Sequence, residues 1–292
     1  MKSGFIAIVG PPNVGKSTLL NRLLGEKVAI VSPRPQTTRT QIKGILNLSD
    51  AQLVFIDTPG IHLPHHLLGE NLVRMAVKSL KDVDLRLFVV DASQRASEDD
   101  KRVAGHLEHS EGSVVLVLNK IDKFEAINPE ILESYQSLLK FEKTVLVSAR
   151  SGAGHEEFLK AVIELLPEGP QFYDPEEFTD QTERVLAAEL IREQVIRYTG
   201  DELPHSVAVK IEEFKDRPEV TYIRAHLFVE RDSQQGIVVG AGGRKIKEIG
   251  QNARLAIEEM TGRKVYLDLQ VKVLKNWRKD ALTLKRLGYA VD

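Results

Sequence analysis

Over the first 170 residues the hydrophobic pattern switches repeatedly between two forms. Nearly unbroken apolar runs fall at 5–9, 52–56, 85–90, 114–118 and 144–147. Runs of that kind fit strands covered on both faces. Between them, apolar residues recur every three or four positions over 17–24, 67–81, 98–109 and 154–166, which predicts helices with one buried stripe. In 67–81 that stripe is Leu68, Leu72, Met75, Ala76 and Leu80; in 154–166 it is Phe158, Val162 and Leu165. Asn128-Pro129 marks one more helix, running to about 139, with a capping Asn before a Pro at the first helical position. Residues 41–48 read as a strand. Only Ser49-Asp50-Ala51 separates them from 52–56, so these two are expected to be antiparallel neighbours. Strands alternating with helices predict an α/β fold, a doubly wound and mostly parallel sheet with its chemistry at strand C-termini.

From residue 182 the pattern changes. An amphipathic helix is expected over 185–198. Alternating strands follow at 206–214 (Val207, Val209 and Ile211 on one face) and 220–230 (Ile223, Ala225, Leu227 and Val229 inward), turning at Lys215-Asp216-Arg217-Pro218. A short helix over 234–239 breaks at Gly240-Ala241-Gly242-Gly243. A long helix over 244–260 then carries Ile246, Ile249, Ala253, Ala256 or Ile257, and Met260 on one face. The last strand, 264–273, turns Val265, Leu267, Leu269, Val271 and Val273 inward. The order α-β-β-α-α-β makes a smaller α+β domain. The expected division is 1–172, a linker at 173–181, and 182–292.

Four polar stretches sit where the first pattern places strand ends. Gly10-Pro11-Pro12-Asn13-Val14-Gly15-Lys16-Ser17 joins the first strand to the first helix with the spacing G-x-x-x-x-G-K-S. Glycines let backbone N–H groups approach phosphate oxygens, and the helix N-terminus at Ser17-Thr18 adds its unpaired N–H groups and dipole. Lys16 can reach the outer phosphates and the Ser17 hydroxyl can sit on Mg²⁺. Asp57-Thr58-Pro59-Gly60 ends the 52–56 strand: its carboxylate suits a metal held through water, and Gly60 leaves its N–H open to a γ-phosphate. Asn119-Lys120-Ile121-Asp122 ends the 114–118 strand. The Asp can accept two parallel hydrogen bonds from guanine, a pair that adenine does not offer. The Asn can bind the guanine edge or tether the phosphate loop, and the Lys stem can lie on the base. Ser148-Ala149-Arg150 ends the last strand, where the Ala N–H can meet the guanine carbonyl. Residues 32–40 hold two prolines, which exclude a helix; they read as a flexible loop or as a switch segment whose threonine reaches Mg²⁺. His62, His65 and His66 lack a carboxylate or cysteine at ligand spacing and are set aside as a metal site.

Charge sharpens the picture of the second domain. The net charge of the chain is −2. Residues 1–180 hold 20 basic against 25 acidic residues, residues 181–292 hold 20 against 17, and 240–286 alone hold 12 against 5. A basic end on an acidic chain points to a polyanion partner. There is no cysteine, which excludes disulfides, thiolate zinc and thiol chemistry and agrees with a cytoplasmic protein. The apolar run at 5–9 is too short for a signal-peptide core, and no stretch approaches the ~20 apolar residues of a membrane span.

The motifs GPPNVGKS, DTPG, NKID and SAR resemble those of the TRAFAC class of P-loop GTPases. QTTR in the first loop, EGPQFY at 168–173, TDQTERVLAAELIREQ at 179–194 and ELPHSVAVKIEEF at 202–214 extend this to the Era family of bacterial ribosome-assembly GTPases, over essentially the whole chain. The second domain resembles the type II KH fold, with GxxG between two helices. The resemblance implies GTP hydrolysis to GDP. Gly10, Pro11, Pro12, Asn13, Val14, Gly15, Lys16, Ser17 and Thr18 would bind phosphates. Ser17 and Thr38 would ligate Mg²⁺, with Asp57 contacting it through water; Thr37 is the adjacent alternative to Thr38. Lys16, Thr38 and Gly60 would serve catalysis, within a nucleotide site continued by Asp57, Thr58, Pro59 and Ile61. Asn119, Lys120, Asp122, Ser148, Ala149 and Arg150 would hold guanine. Two departures stand out. Ile61 replaces the water-orienting Gln of Ras-like enzymes, and K⁺ held near Asn13 is the candidate source of the missing charge. Arg150 stands where Lys is commoner.

For the second domain, Gly240, Ala241, Gly242 and Gly243 would let a single RNA strand lie close, with Arg244, Lys245 and Lys247 along its phosphates. Ala241 stands where such loops often carry a basic residue. The implied partner is the small ribosomal subunit, at the single-stranded 3′ end of its rRNA. A monomer in the cytoplasm is expected. The peripheral contact with the inner face of the membrane suggested for the family has no sequence support beyond basic patches. Trp277 could stack on a base but is expected to pack within its own domain. Two readings compete with a GTPase switch: an RNA-binding scaffold with structural nucleotide, and a P-loop kinase or ATPase, against which NKID argues.

Overall fold

The computed structural model describes the chain except for Pro33, Pro35, Asp201, Glu202, Pro204, His205, Val291 and Asp292. The two prolines of the 32–40 loop and part of the ELPHSVAVKIEEF motif therefore lie outside the described residues. The chain forms two compact units. One comprises Met1–Ala29, Thr38–His65 and Gly69–Asp180; the other comprises Ile30–Thr37, His66–Leu68 and Gln181–Asp292.

In the first unit the elements run β1 (Lys2–Val9), α1 (Lys16–Leu24), β2 (Ile42–Asn47), β3 (Ala51–Asp57), α2 (Leu67–Lys78), β4 (Leu85–Asp91), α3 (Glu98–Glu108), β5 (Ser113–Asn119), α4 (Pro129–Gln136), β6 (Lys143–Leu146) and α5 (His155–Leu165). Six strands form one sheet in the order β2-β3-β1-β4-β5-β6. Only β2 is antiparallel to its neighbour, as the three-residue turn at 48–50 requires. Alternate residues of each central strand feed two cores. Ile6, Ile8, Leu87 and Val89 pack against Leu19, Leu20 and Phe158 on one face. Ala7, Val9, Phe88 and Val90 pack against Ala76, Val103, Leu107 and Tyr135 on the other. At ~1.5–3 kcal/mol for each large side chain fully buried, these two layers hold the sheet flat against its helices. Helix α3 opens with a capping box from Ser97 and Asp100, and α4 with the Asn128 cap and Pro129.

Register places the loops. Ile8 is level with Asp57, Asp91 with Asn119, and Leu118 with Leu146. All parallel strands therefore finish on one edge, and the loops after β1, β3, β4, β5 and β6 share it. The segment expected as a linker runs beside β2: Phe178 O accepts from Ile45 N, Thr179 Oγ1 donates to Lys43 O, and Gln52 Oε1 accepts from the Phe172 and Tyr173 amides. It is fastened to the first unit through Asp180.

In the second unit α6 (Glu183–Thr199) precedes β7 (Ala208–Asp216), β8 (Thr221–Val229), α7 (Asp232–Val239), α8 (Arg244–Thr261), β9 (Val265–Val273) and α9 (Ala281–Arg286). Strands β7 and β8 are antiparallel, β8 and β9 parallel. Ala187, Ile191, Val238, Ile249, Ala253 and Ile257 meet Ile223, Ala225, Leu227 and Val265 in a single core. Helix α6 departs from the amphipathic expectation, because Glu189, Arg192, Glu193 and Gln194 are buried as well. Arg192 is paired with Glu189 and also donates to Thr37 O, while Glu193 accepts from Val31 N at 3.1 Å. Ion pairing and the backbone of Val31 and Thr37 in the same unit thus occupy what would have been its wet side. Trp277 is fully buried, with its Nε1–H on Ser206 O at 3.1 Å and its ring beside Tyr289, as expected of a packing residue.

Candidate functional site

The loop between β1 and α1 is shaped by contacts that only glycine permits. A Cβ on Gly10 would lie 2.2 Å from Val89 O. Gly15 has φ 99°, and a Cβ there would lie 2.4 Å from Asn119 Nδ2. Lys16 begins α1, is buried, and crosses its own loop to donate to Gly10 O (3.1 Å) and Pro11 O (2.8 Å). Burial lowers its pKa to about 8 despite the attraction of Asp57.

Asp57 ends β3 with no exposed surface. Its Oδ2 accepts from Ser17 Oγ at 2.6 Å and Thr38 Oγ1 at 3.3 Å, and the two hydroxyls are 2.9 Å apart. Its Oδ1 is buried without a hydrogen-bond partner. Burial pushes the carboxyl above its ordinary pKa, against Lys16 and the two hydroxyls. Thr38, not Thr37, reaches this cluster; Thr37 Oγ1 donates to Arg34 O at 2.6 Å. The cluster contains only hard oxygen donors, and one of its carboxylate oxygens is buried without a partner. That donor chemistry fits Mg²⁺.

Gly60 lies so close to the phosphate loop that a Cβ would be 2.7 Å from Pro12 N. Thr58 Oγ1 is tied to Ile8 O at 2.8 Å, and Ile61 N donates to Gly10 O at 3.2 Å. The Ile61 side chain is 1% exposed and belongs to the core, so it positions backbone and offers nothing to water.

The base-reading loops converge on Asn119. Of the two roles open to it from sequence, the structure shows the tether: Nδ2 donates to Val14 O at 2.8 Å. Its Oδ1 accepts from Lys120 N at 2.8 Å and Ala149 N at 2.9 Å. The Ala149 amide, expected to face a base carbonyl, is directed at Asn119 instead. Asp122 Oδ1 accepts from Ser148 Oγ at 2.6 Å, which fixes the plane of that carboxylate. Arg22 of α1, a residue without a sequence signal, donates to Ala149 O at 3.4 Å and also to Arg150 O. Arg150 itself is exposed.

In the second unit Ala241–Gly243 forms one short turn between α7 and α8, with Gly240, Gly242 and Gly243 all at positive φ. A Cβ on Gly240 would lie 2.7 Å from Lys245 Cβ, so this glycine lets the two helices meet closely. Arg244 Nε turns back to Ala241 O at 3.3 Å; Lys247 is exposed. Beside that turn, α8 and β9 enclose a groove of ≈ 320 Å³. Its floor is Ile246, Gly250, Leu267 and Leu269, and its rim carries Lys247, Gln251 and Arg254. Sequence reasoning read Leu267 and Leu269 only as core and passed over Gly250, Gln251 and Arg254. Half-buried leucines opposite a helical glycine were the available signal. An apolar floor with a cationic rim suits a base and its phosphates.

Two family models match the chain: one described as a 50S ribosome-binding GTPase over residues 5–120, and a KH domain over residues 202–278. GTPase Era of Alkaliphilus metalliredigens is 44% identical over 99% of both chains, and that of Nostoc sp. is 47% identical over the whole of this chain and 90% of the relative. Two solved structures, each 40% identical and covering both chains completely, superpose with TM-scores of 0.96. One is a variant of Aquifex aeolicus Era bound to GDP·AlF4⁻; the other is Era with MgGDPNP and nucleotides 1506–1542 of 16S ribosomal RNA. Full-length identity at this level places both units in one lineage, and the chain belongs to the GTPase Era family.

Proposed function

We propose that this chain is a GTPase that hydrolyses GTP to GDP and phosphate and couples its nucleotide state to binding the 3′ region of small-subunit rRNA during ribosome assembly. The observation that carries the reading is the meeting of Ser17, Thr38 and Asp57 from three separate segments at the head of the G-x-x-x-x-G-K-S loop. Relatives of the same length and fold, one holding MgGDPNP and rRNA, support it. The proposed division is a nucleotide-binding domain at 1–172 and an RNA-binding domain at 182–292.

The amides of Gly10 to Thr18 cradle the phosphates, and Lys16 releases Gly10 O and Pro11 O to neutralise their charge. Gly60 presents its N–H to the γ-phosphate. Ser17 and Thr38 would hold Mg²⁺, with Asp57 contacting it through water, and the metal would supply charge neutralisation to the phosphates. Asp122, held by Ser148, selects guanine. With Ile61 committed to the core, no side chain at that position orients the attacking water, so intrinsic turnover is slow. Asn13 is exposed, with φ 63°, and in this reading it would hold K⁺ beside the phosphates. RNA lies along Gly240–Gly243, Arg244, Lys245 and Lys247 into the groove of α8 and β9. No described helix is long and apolar enough to cross a membrane; the reading places the protein in the cytoplasm as a monomer.

The test measures GTP hydrolysis together with the affinity for a 16S 3′-end RNA oligonucleotide, in GDP and in a non-hydrolysable GTP analogue. Tighter RNA binding with the analogue is expected. Equal affinities in the two states would overturn the coupling, and absence of GTP turnover would overturn the enzyme.

A further inference from the structure

The sequence motifs leave Asp91 unused, yet it is the best-connected carboxylate on the loop edge of the sheet. It ends β4 level with Asn119 and is 8% exposed. Its Oδ1 accepts from Ser93 Oγ (2.6 Å) and Ser93 N (3.0 Å). Its Oδ2 lies 2.6 Å from Lys120 Nζ and 3.6 Å from Lys123 Nζ. Its carbonyl accepts from Tyr135 Oη at 3.1 Å, so both backbone and side chain are fixed. Lys120 Nζ has a second anchor, Asn13 O of the phosphate loop, at 2.7 Å. The backbone of Lys120 is left-handed, at φ 71°, and its amide is held by Asn119. Burial pushes the Asp91 carboxyl up, but hydrogen bonds from Lys120 and Ser93 more than offset this and make it a stronger acid than usual. It therefore remains an anion near neutral pH.

We propose that Asp91 is a positioning residue for guanine nucleotide: it clamps Lys120 across the gap between β5 and the phosphate loop, and so sets how long the nucleotide stays bound. This rests on the nucleotide reading above. A free lysine has many rotamers, and ordering it on binding costs affinity. Pinned between Asp91 and Asn13 O, the four-carbon stem of Lys120 is already extended before the base arrives. It forms a fixed apolar wall two residues from Asp122. The clamp also joins the base-reading loop to the phosphate loop, so release of the base requires both anchors to yield. Because the bonds of the clamp run to Asn13 O, Lys120 and Ser93 and not to Ser17, Thr38, Asp57 or Gly60, Asp91 acts on binding and leaves the chemical step alone.

The experiment uses the full chain and GDP with a fluorescent ribose substituent. Asp91→Asn keeps the shape and the Ser93 contacts but removes the charge. Dissociation of GDP is expected to accelerate about tenfold, the order of one charge-assisted hydrogen bond. KM for GTP should rise by a similar factor with kcat within about twofold, since uniform binding is what is lost. The ratio of guanine to hypoxanthine nucleotide affinity, set by Asp122, should not move. In the double variant Asp91→Asn/Lys120→Met, dissociation should be no faster than in Lys120→Met alone, because the carboxylate acts through that lysine. Overturning results are a dissociation rate within twofold of wild type, a drop in the guanine ratio, or multiplied effects in the double variant. Should Asp91→Asn not fold, Ser93→Ala carries the test: it removes the hydroxyl bond to Oδ1 and leaves the Ser93 amide bond in place, and should accelerate release about threefold, with an unchanged rate counting against the clamp. A wild-type protein that ignores GDP would overturn the nucleotide reading itself, a result distinguishable from tight wild-type binding that Asp91 does not influence.

Discussion

Truncating Asn119 tests whether the nucleotide site exists as a braced unit before any ligand arrives. The side chain is 1% exposed and serves three partners from three loops: Val14 O, Lys120 N and Ala149 N. Asn119→Ala removes every one of them together. Val14 and Ala149 are 3% and 4% exposed, so their orphaned groups have little access to water. A buried polar group left unpaired costs ~1–3 kcal/mol; two such groups, with the Lys120 amide partly rescued by solvent, give about 3 kcal/mol. For a domain of this size, each kcal/mol moves Tm by roughly 2–4 °C, so the first unit should unfold about 6–12 °C earlier. The assay is calorimetry of nucleotide-free protein. Trp277, the single tryptophan, lies in the second unit, so its fluorescence reports on that unit and cannot stand in for the first. Asn119→Asp should fall between: it keeps both N–H donors satisfied but sets a carboxylate against Val14 O. A fall of less than about 2 °C in the alanine variant would show that the loops are braced by something else, and the reasoning would fail.

Four further outcomes follow from the geometry of the two units. Burial holds the Lys16 pKa at about 8 in the folded chain, below the ordinary 10.5 of a lysine, so the unfolded state binds more protons between those values and stability rises with pH across that window. The cost of charging Lys16, about 3 kcal/mol in full below pH 8, is absent in Lys16→Met, and urea titrations of the two proteins from pH 7.5 to 10 should converge. Nucleotide binding at pH 8 should take up about half a proton, because phosphate restores the charged form; calorimetry in two buffers of different ionisation enthalpy measures it, and zero uptake would contradict the shift. GTP hydrolysis should be at least about tenfold faster in KCl than in NaCl if K⁺ supplies charge near the phosphates, with Asn13→Ala abolishing the difference and equal wild-type rates refuting it. In the groove of α8 and β9, if RNA lies there as proposed, Lys247→Ala and Arg254→Ala should each lower the salt slope of RNA binding by about 0.7, whereas Gly250→Val should weaken binding and leave the slope intact.

The backbone plan of both units was legible because burial leaves a periodic trace. Val114–Leu118, apolar without interruption, could only be a strand with both faces covered, and it stands at the centre of β5. The alternation from Thr221 to Val229 survives as a buried and half-buried alternation along β8. Helix α6 was misjudged for a reason that also lies in periodicity. Arg192 and Glu189, three residues apart, look like a solvated pair in a sequence, but their charges cancel locally and the pair is buried. A hydrophobicity pattern sees each charge singly and cannot see that cancellation. Strand ends slipped by a residue or two, as at β6, because the last hydrogen bonds of a ladder depend on a neighbour that the local sequence does not name.

The same distinction separates the parts of the site that were read from those that were not. Motif residues such as Lys16, Asp57 and Asp122 stand out in the sequence because phosphate, cation and base chemistry would each demand a particular group at a particular spacing. The residues that hold them are not, because many groups could do that work and the partner lies far away in sequence. Arg22 reaches Ala149 O across 127 positions, and Asp91 reaches Lys120 across 29. For Asp91 one route was open. Once β4 and β5 are taken as parallel neighbours with level ends, an Asp closing one strand must face the residues that close the next, and those are Asn119 and Lys120. Register, more than motif, therefore marks where supporting residues should be sought in a sheet of this kind. A carboxylate at a strand C-terminus that no ligand chemistry claims is a candidate brace for the lysine or asparagine beside it.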